Sequence, residues 1–201
     1  TYVNIGLGYE HGCAVDTTGE IDCWGRDNQG ETLTPLGRFV TVDGGVDHTC
    51  ALDAQGEVTC WGDDEYYGSY RVSDAPEGSF EQLVVGFYHA CVRDSDGAVQ
   101  CWGYNGSGEG TVPDEIFVHI SASESATCGI TDYGGLLCWG NNDYSKSDTD
   151  LDDDGVDFLT DCDDNNASEG IGASADCAGD SCLDILERYP SAPDGNYWIE
   201  T

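Results

Sequence analysis

Basic side chains are nearly missing from this chain: six Lys and Arg stand against 40 Asp and Glu, a net charge of −34. A surface of that sign repels phosphodiester backbones and anionic lipid headgroups, which argues against nucleic acid and membrane surfaces as partners. Long apolar runs are missing as well, and no stretch approaches the roughly 20 residues needed to cross a bilayer as a helix. Methionine is absent and no secretory leader is legible, while the chain opens on Ile5-Gly6-Leu7-Gly8, inside a repeated pattern. It therefore reads as a piece of a longer polypeptide. Catalytic signatures are lacking too: no serine sits in Gly-x-Ser-x-Gly, and His-Glu-x-x-His does not occur. Carboxylates are so abundant that an acid–base pair could be drawn almost anywhere, so none is supported. These absences point to binding and not to an enzyme.

What is present is a repeat. Cys-x9-Cys-Trp-Gly occurs four times, at Cys13/Cys23, Cys50/Cys60, Cys91/Cys101 and Cys128/Cys138, with 37, 41 and 37 residues between successive first cysteines. Five residues before each first Cys stands a Gly (Gly8, Gly45, Gly86; Ser123 in the fourth copy). An Asp and a Gly follow at plus three and plus six (Asp16/Gly19, Asp53/Gly56, Asp94/Gly97), with Thr131 and Gly134 in the last copy. An aliphatic residue comes at plus eight: Ile21, Val58, Val99, Leu136. Asp-x-x-Gly between short apolar runs predicts a hairpin with a three-residue loop whose Gly is left-handed. If Thr17, Thr18 and Gly19 form the loop, Asp16 pairs with Glu20, Val15 with Ile21, and Cys13 faces Cys23. Facing Cα atoms in such a pair are about 4.5–5.5 Å apart, within disulfide reach. The spacing thus predicts pairs 13–23, 50–60, 91–101 and 128–138. Eleven cysteines, eight of them phased in this way, place the protein in an oxidising compartment, outside the cell or on its surface.

The pattern Gly-x-x-His-x-Cys-Ala-Leu-Asp-x-x-Gly-x-Val-x-Cys-Trp-Gly of residues 45–62 resembles the regulator-of-chromosome-condensation repeat in its secreted bacterial, cysteine-bearing form. The resemblance covers about residues 1–147. It implies an all-β chain with four propeller blades, about 1–37, 38–78, 79–115 and 116–147. The family usually has seven blades, so four copies imply an open arc, or a chain that associates through its ends. The chromatin and small-GTPase roles of eukaryotic relatives do not fit the charge. A compact secreted member of the family inhibits an enzyme, which keeps an inhibitor reading open.

Composition changes over residues 146–165, where Asp dominates. Such a run is commonly a solvated acidic linker. Its spacing supports a second reading. Asp150, Asp152 and Asp154 fall at positions 1, 3 and 5 of a calcium loop, Gly155 at 6, the Val156 carbonyl at 7 and Asp161 at 12. Asp at position 12 reaches less far than Glu, which predicts weak, extracellular-range binding. The segment is similar to thrombospondin type 3 repeats and to Asp-rich motifs of secreted bacterial proteins. Calcium is the expected cofactor, in a linker spanning about 148–180.

Residues 181–201 read as a short helix, a Pro-rich turn and a strand, a small α+β fragment. Cys182, Ile185-Leu186, Gly195 and Tyr197-Trp198-Ile199 are similar to the opening of a fibrinogen-related domain. That resemblance implies carbohydrate recognition further along the parent chain. It also implies that Cys182 pairs downstream, leaving Cys162 and Cys177 to close the calcium segment.

Two constellations have competing readings. His11, His48 and His89 precede their cysteines by two residues, but zinc requires thiolates and the context favours disulfides, so the histidines are expected to be structural. The four tryptophans could offer sugars a stacking platform; their fixed place after a hairpin Cys favours packing between blades. The expected partners are extracellular proteins or glycans. The expected role is a recognition or adhesion module, with accessory modules of an extracellular enzyme as the alternative.

Overall fold

The computed structural model describes residues 1–62, 72 and 74–141, all within the first of two compact units, Thr1–Ser147. The proposed calcium ligands Asp150, Asp152, Asp154, Val156 and Asp161 lie outside the described residues. So do Cys162, Cys177, Cys182 and the fibrinogen-like stretch.

The described residues are all-β. Each repeat forms one antiparallel sheet of three strands in chain order. The first holds β1 (Tyr2–Leu7), β2 (His11–Asp16) and β3 (Ile21–Gly25), and the second β4 (Phe39–Gly44), β5 (His48–Asp53) and β6 (Val58–Gly62). The third holds β7 (Phe80–Val85), β8 (His89–Asp94) and β9 (Val99–Gly103), and the fourth β10 (Phe117–Ala122), β11 (Ala126–Thr131) and β12 (Leu136–Gly140). The middle strands β2 and β5 are buried from their His to the fifth residue, flanked by the outer strands of their own sheets and covered by the sheet that follows.

The hairpin register follows from its loop. Asp16 N donates to Glu20 O and Gly19 N to Asp16 O, both at 2.9 Å, and Gly19 takes φ +85°. Asp16 Oδ1 accepts the N–H groups of Thr18 and Glu20 at 2.7 and 3.0 Å, the local bonding that makes Asp a turn former. Asp53 and Asp94 repeat the arrangement. In the fourth sheet Thr131 Oγ1 accepts one N–H, that of Gly135, at 2.8 Å. Cys13 therefore faces Cys23, with Cα atoms 4.1 Å apart and sulfurs bonded at 2.09 Å. Cys50–Cys60, Cys91–Cys101 and Cys128–Cys138 are joined in the same way.

A feature that the sequence reading did not contain is a bulge in each first strand, at Val3, Val40, Glu81 and Val118, where the register shifts by one residue. It separates the buried Phe39, Phe80 and Phe117 from the remainder of their strands.

The core is distributed over three joints between successive sheets. At the first joint, Cys13, Val15, Ile21 and Cys23 on the rear of one sheet meet Phe39, Val42, Ala51 and Trp61 on the front of the next. The second and third joints repeat this pattern with Phe80, Leu83 and Trp102, and with Phe117, Ile120 and Trp139. Polar bonds cross each joint at fixed places. Phe39 N, Phe80 N and Phe117 N donate to the loop glycines Gly19, Gly56 and Gly97 of the preceding hairpin, each at 2.9 Å. Trp61, Trp102 and Trp139 donate their indole N–H to the carbonyls of Glu31, Val72 and Glu109 at 2.9, 2.7 and 3.0 Å. Trp61, Trp102 and Trp139 thus pack between sheets as expected, whereas Trp24, expected to do the same, is 48% exposed on the first sheet, because among the described residues no sheet covers its face.

Inner strands of neighbouring sheets are linked through side chains. Asn4 Oδ1 accepts from Val42 N at 2.8 Å, Asp43 Oδ2 from Val85 N at 3.0 Å, and Gln82 Oε1 from Ile120 N at 3.0 Å. In the second, third and fourth sheets an inner-edge N–H group, that of Val42, Val85 or Ile120, is satisfied by the sheet before it. Among the described residues β10 packs on β7 and β8, and no comparable packing joins the fourth sheet to the first. The described residues form an open partial β-propeller.

Candidate interaction surface

The turn between the first two strands of the first three sheets begins with the Gly that marks the repeat (Ser123 in the fourth), and its geometry explains that residue. A methyl carbon on Gly8 would lie 2.2 Å from His11 Cε1 and 2.6 Å from Gly45 O; Gly45 and Gly86 are equally tight against His48 and His89. The His ring occupies the space of a side chain three residues earlier. Gly-x-x-His is therefore one structural unit.

His11 Nε2 lies 2.8 Å from Thr49 Oγ1 of the next sheet. The Thr49 hydroxyl donates to Glu31 O at 2.8 Å, so the imidazole must be the donor, through Nε2–H. Burial holds His11 below its ordinary value; Glu31 acts against that and Arg26 with it. His89 makes the same contact with Thr127 at 2.8 Å, and burial lowers it to about 4. Both rings are neutral struts at neutral pH. Among the described residues no three His, Cys, Asp or Glu side chains are placed to hold a metal ion.

Because these rings fix the turns, the turns line up. Tyr9 N donates to Gly45 O, Val46 N to Phe87 O, and Phe87 N to Glu124 O, at 2.9, 3.1 and 3.0 Å. Four turns from four sheets thus form a continuous rim. At its centre the Tyr9 and Phe87 rings meet edge to face with centroids 5.8 Å apart, and Phe87 meets Tyr88 at 6.3 Å. Tyr9 is 61% exposed, and Val46, Phe87 and Tyr88 are half-buried. Glu10 and Glu124, both exposed, flank them.

Arg26 braces one side of this rim. Its guanidinium bonds Glu10 Oε2 at 2.8 Å and Glu31 Oε1 at 3.0 Å, and pairs with Asp47 of the second sheet. Glu31 is fully buried. Burial pushes its carboxyl up, but its own amide, the Gln29 N–H and Arg26 outweigh that and hold it below the ordinary value. Burial raises Asp43 to about 6, against the N–H bonds of Val85 and Gly44. The rim is therefore a preorganised apolar centre with an acidic border. Such a surface suits a partner that brings apolar and basic side chains.

The structure brings together the eight repeat cysteines and places the three later tryptophans in the joints. Sequence reasoning had not identified Tyr9, Phe87, Tyr88 or Glu31 as functional or structural anchors. Glu31 did carry a signal: Gly30-Glu31 and Gly108-Glu109 each place a fully buried Glu seven residues after a repeat Trp. The rim aromatics carried none, since the same position holds Tyr, Val, Phe and Glu in the four copies.

The family model described as Regulator of chromosome condensation (RCC1) repeat matches residues 2–31, 39–68, 80–109 and 117–145. No curated protein sequence matches the chain. Among solved structures, the CRINKLY WD40 ectodomain of the Arabidopsis thaliana receptor kinase ACR4 is similar, with TM-score 0.55 and 23% identity over 68% of this chain and 49% of that one. Human WBSCR16 is similar with TM-score 0.61 and 16% identity over 74% and 51% of the two chains. Prp20p from Saccharomyces cerevisiae gives TM-score 0.58 and 17% identity over 69% and 44%. The chain thus spans about half the length of these structures.

Proposed function

This chain belongs to the regulator of chromosome condensation (RCC1) repeat family, and from that premise we propose that it is the protein-binding part of a secreted or cell-surface modular protein. Propeller repeats of this kind serve protein contacts: the structurally similar yeast Prp20 is known with Kap60 bound, and another similar structure is a receptor-kinase ectodomain. The observation that carries the reading is the rim of Tyr9, Val46, Phe87 and Tyr88 between Glu10 and Glu124. It is the place where an exposed apolar centre is held by every sheet at once. Four disulfides, one per sheet, favour an oxidising location. Net charge −34 favours a basic partner and disfavours nucleic acid.

The Asp-rich segment belongs to the same reading. Asp150, Asp152, Asp154 and Asp161 with the Val156 carbonyl supply the oxygen donors that calcium prefers, and calcium would fix the linker between the propeller and the fibrinogen-like start. Glycan recognition would then fall to a domain beyond residue 201.

Peptide selection on phage against the oxidised chain tests the rim. Enriched peptides should combine basic with apolar residues, and their affinity should fall about tenfold for Tyr9→Ala. Failure to enrich, or enrichment indifferent to both Tyr9→Ala and Glu10→Lys, would remove the rim as the binding site.

A further inference from the structure

The first and third joints each bury a glutamate, and only the first supplies it with a cation. Glu31 and Glu109 are both fully buried and are held alike. Glu31 Oε2 accepts from Gln29 N at 2.6 Å, and Glu109 Oε2 from Ser107 N at 2.8 Å. Their carbonyls take the indole N–H groups of Trp61 and Trp139. With these atoms fixed in the same way, the second carboxylate oxygen, Oε1, is directed to the corresponding place in each joint. In the first joint that place holds the Arg26 guanidinium, with Nε 3.0 Å away. In the third, Glu109 Oε1 has no hydrogen-bond partner among the described residues. We propose that Glu109 Oε1 is a socket for the guanidinium of an arginine brought by the partner that meets the rim.

The residues around this oxygen differ together between the two joints. Arg26 meets three carboxylates, those of Glu10, Glu31 and Asp47. Their counterparts in the third joint are Tyr104 for Arg26, Tyr88 for Glu10 and Ser125 for Asp47. The backbone is the same: Arg26 N donates to Glu10 O at 2.9 Å, and Tyr104 N to Tyr88 O at 2.7 Å. Only the buried glutamate is retained, without its cation. The second joint shows that the fold does not require an acid there, since Val72 takes the position, buried, with its carbonyl bonded by Trp102. A buried carboxylate with an unmade bond is among the costlier arrangements inside a protein. Valine would avoid that cost in the third joint as in the second, so the retained charge fits a cation that arrives from outside. Tyr88 and Tyr104 favour a guanidinium over an ammonium, because it is planar, more weakly hydrated and stacks on aromatic rings. Ser125 adds a hydroxyl that can accept a further N–H. The approach is over residues 105–107, which are exposed. A methyl carbon on Gly106 would overlap the Tyr104 hydroxyl, so the Gly lets this ring lie against the loop, and the guanidinium enters as the ring turns aside. The inference rests on the rim reading for the source of the arginine, but not for the socket itself.

Ethylguanidinium chloride titrated into the oxidised chain and followed by amide NMR tests the socket without the partner. Saturable shifts should centre on the Ser107 amide and the Trp139 indole N–H, and ethylammonium should bind about tenfold more weakly. Glu109→Gln should abolish the response, as should Glu109→Val, the residue of the second joint. In urea, both variants should unfold at the wild-type midpoint or above it, because an unpaired buried charge has been removed. A lowered midpoint in both would show that the carboxylate already has its cation within the chain, and would overturn the proposal. So would the absence of a guanidinium response at any concentration that leaves the circular dichroism unchanged, or a response that Glu109→Gln retains. Among peptides selected on the rim, replacing one arginine by citrulline should weaken binding to wild type about tenfold, with little effect on binding to Glu109→Gln. Peptides that require Tyr9 but contain no arginine coupled to Glu109 would refute the socket and leave the rim standing. A guanidinium response without any Tyr9-dependent peptide would support the socket and remove the rim.

Discussion

The first three repeats and the fourth solve the same structural problem with different residues. Repeats one to three have Gly8/His11/Asp16, Gly45/His48/Asp53 and Gly86/His89/Asp94, and the fourth has Ser123/Ala126/Thr131. Two of these changes go together. His89 fills the space beside Gly86, where a methyl carbon would be 2.2 Å from its ring, and with Ala126 in place of His that space is free for the Ser123 side chain. The same turn bond survives, Ser123 N to Ala126 O at 2.9 Å, as Gly86 N bonds His89 O at 2.8 Å. Gly is thus required by the His and by the carbonyl of the following turn, 2.6 Å from a methyl carbon on Gly86, and not by the turn's own hydrogen bond. The third change is independent: Asp94 Oδ1 accepts two loop N–H groups, whereas Thr131 Oγ1 accepts one and also donates to Gly135 O. The histidine itself serves the joint to the following sheet, and among the described residues no sheet follows the fourth.

The sharpest way to break this comparison is to exchange the units. Gly86→Ser should destabilise the array by about 3 kcal/mol through overpacking against His89 and the Ser123 carbonyl, while Ser123→Gly should change stability by less than about 1 kcal/mol. Adding His89→Ala to Gly86→Ser should cost less than the sum of the single changes, since one of the two clashes is relieved. Urea denaturation measures all four proteins. Strict additivity would show that Gly and His are not one unit.

The disulfides are where the four repeats should behave alike. Replacing Cys91 and Cys101, or Cys128 and Cys138, by Ala should each cost about 2–3 kcal/mol for a loop of ten residues' separation. A much smaller loss in the fourth repeat would show that its hairpin is held by other means.

These staples were legible in the sequence because Asp16, Gly19 and the two cysteines lie on one hairpin, where loop length dictates register. The Trp positions were legible for the same reason. The joints were not, since their partners are distant and differ from copy to copy. Asn4 accepts from Val42 N and Asp43 from Val85 N, and nothing in the sequence pairs Asn with Asp or Gln as equivalent linkers. Thr49 and Thr127 sit beside their cysteines, but only the fold shows that they receive the His of the preceding repeat. The rim at Tyr9 and Phe87 arises from turns of two repeats separated by a third, a proximity that only the curvature of the array creates. The acidic segment at 150–161 remains a matter of spacing and composition.

Acid separates the His-bearing repeats from the fourth. His89 has a folded value of about 4 against an ordinary 6.5, so the unfolded chain takes up the proton first as pH falls from 6.5 to 4, and stability is lost across that window. The gap corresponds to roughly 3 kcal/mol. Asp43, raised to about 6 from 3.8, acts oppositely, because the folded state binds its proton first; its contribution is full below 3.8 and fades as pH rises through about 6. Wild type should therefore lose more stability between pH 6.5 and 4 than His89→Gln does, and Asp43→Asn should lose more than wild type. Parallel pH profiles for wild type and His89→Gln would show that the ring is not a buried neutral strut. A small effect is expected for Thr127→Val, about 1 kcal/mol for the lost His89 bond, read from the same denaturation curves.

The account stands on the rim as the surface that meets a partner. A photo-crosslinking amino acid placed in turn at Tyr9, Val46 and Phe87, and for comparison at Asp22, Thr59 and Gln100 on the exposed third strands, examines both regions in one mixture of candidate partner proteins. The predicted result is one common adduct from the three rim positions and none from the third strands. The same adduct arising from Asp22, Thr59 and Gln100, with none from the rim, would contradict it.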